Sequence, residues 1–306
     1  MDDTTSGTAR LLTSNAVVLR DFSRDNATKP LDALYYRPQR GEPPFPAVVI
    51  NEGLGGLKRP RELRYGRFLA EHGFAALVID SFGTRGYGRA PHPVRAAAVT
   101  ETMMLADAFA GLSWLARRPE IDAARIANVG FSYGGMIVIL TAYEQIRRHF
   151  VSGDEAFAAH VSYYGPTVPR LVDYRTTGAP VAILNGALDA NFDPRRLDLI
   201  AGDLRNGGSP VENIVFDAAY HQWDGDDAVV RHDRFNIRRL ATRIEPDQTI
   251  VDERTGHRVR GHLSRLAMIL RSVSLAGYGL KCDLDVMRRT DEILLRYLTA
   301  TPQDAG

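Results

Sequence analysis

The chain has almost no cysteine: Cys282 is the only one in 306 residues, so no internal disulfide can form. A reducing compartment suits such a chain. Net charge is lacking too, since 38 Lys and Arg against 37 Asp and Glu leave +1. That balance gives no electrostatic footprint for nucleic acid or for an anionic membrane surface, and neither partner is expected. No apolar run approaches the roughly 20 residues of a bilayer span. The opening residues, 1–12, lack the basic start and long apolar core of a secretion signal, so a cytoplasmic protein is expected. The 8 histidines show no metal-ligand spacing, and neither metal nor cofactor is expected. No repeat or low-complexity tract interrupts the chain. What is left is ordinary globular composition, 44% hydrophobic and 25% charged.

All-apolar runs at 47–50, 74–79 and 181–184, with Ile126, Ala127 and Val129, read as buried strands, and 160–164 and 211–216 have strand character as well. Helical patterns lie between them at 61–72, 96–116, 136–140 and 194–205, several with Gly, Asn or Pro stops. This alternation predicts one α/β domain over 1–306, a mostly parallel sheet with helices on both faces. Residues 1 to about 12 read as a polar, loosely held tail. Residues 15–19 and 31–36 read as an antiparallel opening pair. In such sheets, functional groups sit on loops after the carboxyl ends of strands. Glu52, Arg85, Ser132, Asp189 and His221 all fall in loops of that kind.

The strongest local signal is Gly130-Phe131-Ser132-Tyr133-Gly134, between an apolar run and a helix start. A serine on a sharp strand-to-helix turn is a nucleophile elbow, and its glycines let strand and helix approach closely. A serine hydroxyl needs a base, and the base needs an orienting group. The elbow predicts the order Ser, acid, His, which Ser132, Asp189 and His221 supply. Singly, these would be a buried serine, a loop aspartate and a lone histidine. Their order and placement together favour the triad. Asp193, before Pro194, reads as a helix cap, and Asp224 as a surface loop carboxylate. Oxyanion donors in this arrangement are the amide after the nucleophile, Tyr133, and one from the loop after 47–50, which points to Gly53 with Leu54 as alternative. Tyr87, His92 and Tyr164 are candidates for pocket lining, and Trp223 for packing.

Five blocks resemble the dienelactone hydrolase family of α/β-hydrolases. They are Asn51-Glu52-Gly53-Leu54-Gly55, Asp80-Ser81-Phe82-Gly83-Thr84-Arg85-Gly86, the serine block, Tyr163-Tyr164-Gly165, and Gly186-Ala187-Leu188-Asp189 with Tyr220-His221. The resemblance implies a carboxylic ester or lactone hydrolase with Asp189 and His221 as partners of the nucleophile. It also implies that Glu52 matches a glutamate that helps activate a thiol nucleophile, and that Arg85 binds substrate, its guanidinium gripping a carboxylate. Familiar members carry cysteine where this chain has Ser132. With serine, Glu52 is left as an organiser of the oxyanion loop, a substrate contact, or a structural carboxylate bonded to backbone amides.

Segment 225–283 lies outside the resemblance. It reads as an insertion that forms a lid, a surface for a second copy of the chain, or packing at the sheet edge. Within it Val259, Leu263, Leu266, Leu270 and Val273 follow helical spacing, while its arginines and carboxylates suggest a solvated face. The expected function is cleavage of a small-molecule ester or lactone through an acyl-enzyme. Acyl transfer, cyclisation or peptide cleavage by the same three residues stays open, and a non-catalytic scaffold is the rival of another class.

Overall fold

A computed structural model describes residues 5–22, 29–233, 236–274 and 277–299. The chain opens with β1 (Thr5–Thr13) and β2 (Lys29–Tyr36), an antiparallel pair. This corrects the expected tail over residues 1–12, of which 1–4 lie outside the described residues. The cause is a two-residue alternation: Ala9 and Leu11 enter the core, while Leu12 is 63% exposed. The Thr13 hydroxyl then anchors the strand by donating to Asp107 at 2.6 Å. Residues 15–19 do not form the expected strand. They run into a short 3-10 turn at Leu19–Asp21.

Next come β3 (Phe45–Asn51), α1 (Glu62–Glu71), β4 (Ala75–Ile79), α2 (Ser81–Thr84), α3 (His92–Ala98) and α4 (Glu101–Ala116). The single helix expected over 96–116 is thus two. Thr100 ends the extended break and caps α4, its hydroxyl accepting from the Met103 amide at 3.4 Å. Then follow β5 (Ile121–Phe131), α5 (Tyr133–Thr141), α6 (Glu144–Phe150), β6 (His160–Tyr163), β7 (Pro169–Leu171) and β8 (Val181–Gly186). The helix α7 (Pro194–Asn206) starts on an Asp193 cap and leads to β9 (Val211–Phe216).

Eight strands form the central sheet in the order β1-β2-β4-β3-β5-β6-β8-β9. From β4 to β9 the pairs are parallel, and β1 and β2 are antiparallel additions at one edge. Strand β3 shows why its run is unbroken: Ala47 and Val49 face one core layer, Val48 and Ile50 the other. A strand covered on both faces has no solvent side to make polar.

Segment 225–283 contains β10 (Arg231–Asp233), β11 (Thr242–Ile244), β12 (Ile250–Asp252), α8 (His262–Ser272) and β13 (Tyr278–Leu280), and α9 (Leu284–Thr299) follows it. β11 adds in parallel to β7 and antiparallel to β12, and β10 pairs with β13. The inward face of α8 is not the expected leucine stripe. Arg265, Met268 and Ser272 are buried, while Leu263 and Leu270 are 81% and 74% exposed. An ion pair from Arg265 across to α4, described below, sets this rotation.

Candidate active site

Ser132 sits between β5 and α5 with φ 54 and ψ −114, a left-handed conformation that a side-chain-bearing residue rarely adopts. Its amide is fixed to the Tyr163 carbonyl at 2.9 Å. The turn works because a Cβ on Gly130 would lie 2.3 Å from the Gly134 carbonyl oxygen, and one on Gly134 would lie 2.4 Å from that of Asn51.

The loops after β8 and β9 bring two residues to this serine. His221 Nε2 is 3.0 Å from Ser132 Oγ, and His221 Nδ1 is 2.6 Å from Asp189 Oδ2. With the carboxylate at Nδ1, the proton belongs on Nδ1, which leaves the Nε2 lone pair facing the hydroxyl. Asp189 Oδ1 accepts the Asn191 amide at 2.9 Å, so both oxygens are used. The His221 ring stands edge-on between Tyr164 and Tyr278, with centroids at 4.8 and 5.0 Å. Its backbone is paired with β13: the amide donates to Gly279 at 3.2 Å and the carbonyl accepts from Lys281 at 3.3 Å. The end of segment 225–283 therefore holds the histidine loop.

Tyr164, a candidate for pocket lining, instead backs the histidine. Its hydroxyl donates to Asp224 Oδ1 at 2.5 Å, and Trp223 packs edge-on against its ring at 4.7 Å. Asp224, expected at the surface, is fully buried. Burial pushes its carboxyl up to about 6, against the pull of the nearby Arg61 guanidinium.

The Tyr133 amide opens α5, at the end where helix amides lack intrahelical partners and the dipole favours an anion. Gly53 is corrected as its companion, because the Gly53 amide donates to Glu62 Oε1 at 3.1 Å. Glu62 is buried beside Arg61, and it satisfies itself with Gly53, Arg61 Nε at 2.8 Å and the Lys58 amide at 3.0 Å. The next amide, Leu54, makes no hydrogen bond within the protein among the described residues. Glu52 is buried, and its Oε1 accepts the Phe82 amide at 2.8 Å. Burial, with Asp80 nearby, holds its carboxyl well above the ordinary range. It makes no hydrogen bond to Ser132 or His221, and its Oε2 is buried without a hydrogen-bond partner among the described residues.

Arg85 is also corrected. Nε donates to Asn15 Oδ1, Nη1 to Ser81 O and Asp107 Oδ2, and Nη2 to Ser14 O and Asp107 Oδ1. All five N–H groups are used inside the protein, which leaves none for a substrate carboxylate. Asp107 ties Arg85, Ser81 and Thr13 together, so the arginine joins β1 and α2 to α4.

Residues missed in the sequence link the insertion to the elbow. Arg265 of α8 holds Glu101 through two N–H···O bonds of 2.8 Å, and it donates to the Tyr133 hydroxyl at 3.3 Å. That hydroxyl also donates to Glu101 at 3.0 Å. Glu101 had a signal, an acid one residue after the Thr100 cap. Arg265 had none, since it sits among leucines that themselves follow helical spacing.

A family model for the dienelactone hydrolase family matches residues 31–234, two thirds of the chain. An uncharacterized protein of Mycobacterium tuberculosis is 28% identical over 170 residues, covering 51% of this chain and 56% of that protein. The chain thus spans little more than half of that relative's length. Among solved structures, one from Klebsiella pneumoniae, provisionally described as a dienelactone hydrolase, has a TM-score of 0.55 at 23% identity. The match covers 71% of this chain and 89% of that one. The Pyrococcus horikoshii acylaminoacyl peptidase has a TM-score of 0.50 at 18% identity, over 72% of this chain and 38% of that one. At those identities the structural matches bear on fold alone. They agree with a mostly parallel sheet covered by helices. The chain belongs to the dienelactone hydrolase family and has the α/β-hydrolase fold.

Proposed function

We propose that this protein is a serine hydrolase that cleaves a carboxylic ester or lactone of a small molecule through an acyl-enzyme. One observation carries the reading: the unbroken relay Ser132 Oγ to His221 Nε2 at 3.0 Å and His221 Nδ1 to Asp189 at 2.6 Å. Family membership supports it.

His221 Nε2 takes the Ser132 proton as Oγ bonds to the carbonyl carbon. Asp189 fixes the tautomer and stabilises the imidazolium that forms. The carbonyl oxygen becomes an oxyanion, served by the Tyr133 and Leu54 amides. Each such donor is worth on the order of 10²–10³ in rate. The ester C–O bond then breaks, and the leaving oxygen takes its proton from His221. Water repeats the sequence, giving its proton to His221 and releasing the acid and free Ser132. Ser132→Ala is expected to keep the native circular dichroism spectrum and to lose at least ~10³-fold in kcat on activated esters. Undiminished turnover in that variant would sink the mechanism.

A further inference from the structure

The ψ of Ser132, −114, sets the plane of the peptide that carries the Tyr133 N–H. That N–H must point at the oxyanion, so whatever stops this peptide from relaxing bears on the reaction. Backbone strain persists only where the surroundings over-determine it. On one side of the strained residue, the Ser132 amide is tied to the Tyr163 carbonyl. On the other, the Tyr133 ring is buried and its hydroxyl is gripped. It donates to Glu101 Oε1 at 3.0 Å and accepts from Arg265 Nη2 at 3.3 Å, with the Val99 carbonyl also at 3.3 Å.

Arg265 is itself immobilised. Its side chain is 2% exposed, it holds Glu101 through two bonds of 2.8 Å, and its Nη1 donates to the Ala96 carbonyl of α3 at 2.8 Å. The residue before Ala96, Arg95, donates through Nη1 to the Leu54 carbonyl at 2.9 Å and through Nε to that of Tyr87 at 2.9 Å. Tyr133 and Leu54, whose amides are assigned to the oxyanion, are thus each held by an arginine, and α3 joins the two arginines. Among the described residues Arg265 makes no hydrogen bond to Ser132, Asp189 or His221. Any effect it has on the chemistry passes through Tyr133.

We infer that Arg265 is a positioning residue: from the inserted helix α8, through Glu101 and the Tyr133 hydroxyl, it holds the Tyr133 amide on the oxyanion. The inference rests on the proposed acyl-enzyme chemistry. An oxyanion donor is worth on the order of 10²–10³ in rate, so a donor loosened but not removed should cost on the order of tenfold. The loss belongs to kcat, because the oxyanion exists only once the carbonyl has been attacked.

The test uses p-nitrophenyl acetate and an alkyl trifluoromethyl ketone on the native protein, Tyr133→Phe, Arg265→Met and the double variant, each checked for folding by circular dichroism. The ketone carbon bonds to Ser132 Oγ, the serine proton passes to His221, and the carbonyl oxygen becomes an oxyanion that needs the same donors. Tyr133→Phe keeps the ring and takes only the hydroxyl. It should lower kcat on the order of tenfold and weaken the ketone by the same factor, with KM within about twofold. Arg265→Met should do the same, and the double variant should fall no more than about twofold below the slower single variant. Where Arg265→Met does not fold, Arg265→Lys, which cannot grip Glu101 and Tyr133 together, takes its place. A purely structural clamp would lower stability and leave both kinetic readouts of the folded protein unchanged. Native kcat in Tyr133→Phe, a kcat loss without a matching loss of ketone affinity, or a double variant in which the two losses multiply each overturns the inference. A native protein that neither cleaves the ester nor binds the ketone overturns the acyl-enzyme reading itself, and the positioning role with it.

Discussion

Asp224 is a carboxylate buried for a neighbour's sake: its Oδ1 receives the hydroxyl of the tyrosine that backs His221. Its carboxyl is pushed from an ordinary 3.8 up to about 6. The folded protein therefore keeps a proton there that the unfolded chain gives up, and stability contributed by this group falls as pH rises from about 4 to about 6. At 1.36 kcal/mol per unit the window is worth about 3 kcal/mol. Asp224→Asn removes the titration. The stability of the native protein minus that of the variant, from urea unfolding, should be about 2 kcal/mol greater at pH 4 than at pH 7. Parallel pH curves would contradict the assignment. Much of the site was legible at this scale. Ser132, Asp189 and His221 each follow a strand of the parallel sheet, so topology brings them together. Gly53 and Arg85 misled because the partners that occupy them, Glu62 and Asp107, are side chains whose direction no local pattern reveals.

Among the elements, α8 decides what the insertion does. Its leucine spacing suggested the wrong face, because the inward position belongs to Arg265, paired with a residue 164 positions away. Burial raises the Glu101 carboxyl, but the Arg265 guanidinium more than offsets this and leaves it below its ordinary range. Arg265→Met leaves that half-buried carboxylate with only the Tyr133 hydroxyl as side-chain partner, a loss of about 2–3 kcal/mol. The loss should appear first as α8 undocking. Hydrogen exchange at α8 amides is expected to speed up at least ~100-fold, with much smaller changes in β3 and β5. Unchanged α8 protection would show that the ion pair is not its anchor. Strand β1 carries the opposite lesson: its alternation was present in the sequence, but residues 1–12 looked too polar to pair. Pairing with β2 and the Thr13–Asp107 bond secure it.

Across the whole molecule, the centre of the sheet follows from apolar runs, as in β3, β4 and β8, too continuous for a strand with a wet face. The family match stops at residue 234, within the segment that supplies β13 behind His221 and α8 above Tyr133. Ser132, Asp189 and His221 lie inside the matched region, and β13 and α8 lie beyond it. Covalent capture tests the relay most directly. The protein is treated with a p-nitrophenyl alkylphosphonate, and the adduct is mapped by peptide mass spectrometry while ester turnover is followed. The predicted result is one adduct, on Ser132, with activity falling in proportion to labelling and no adduct in Ser132→Ala. Full turnover by a protein whose Ser132 is completely labelled, or an adduct confined to another residue, would contradict it.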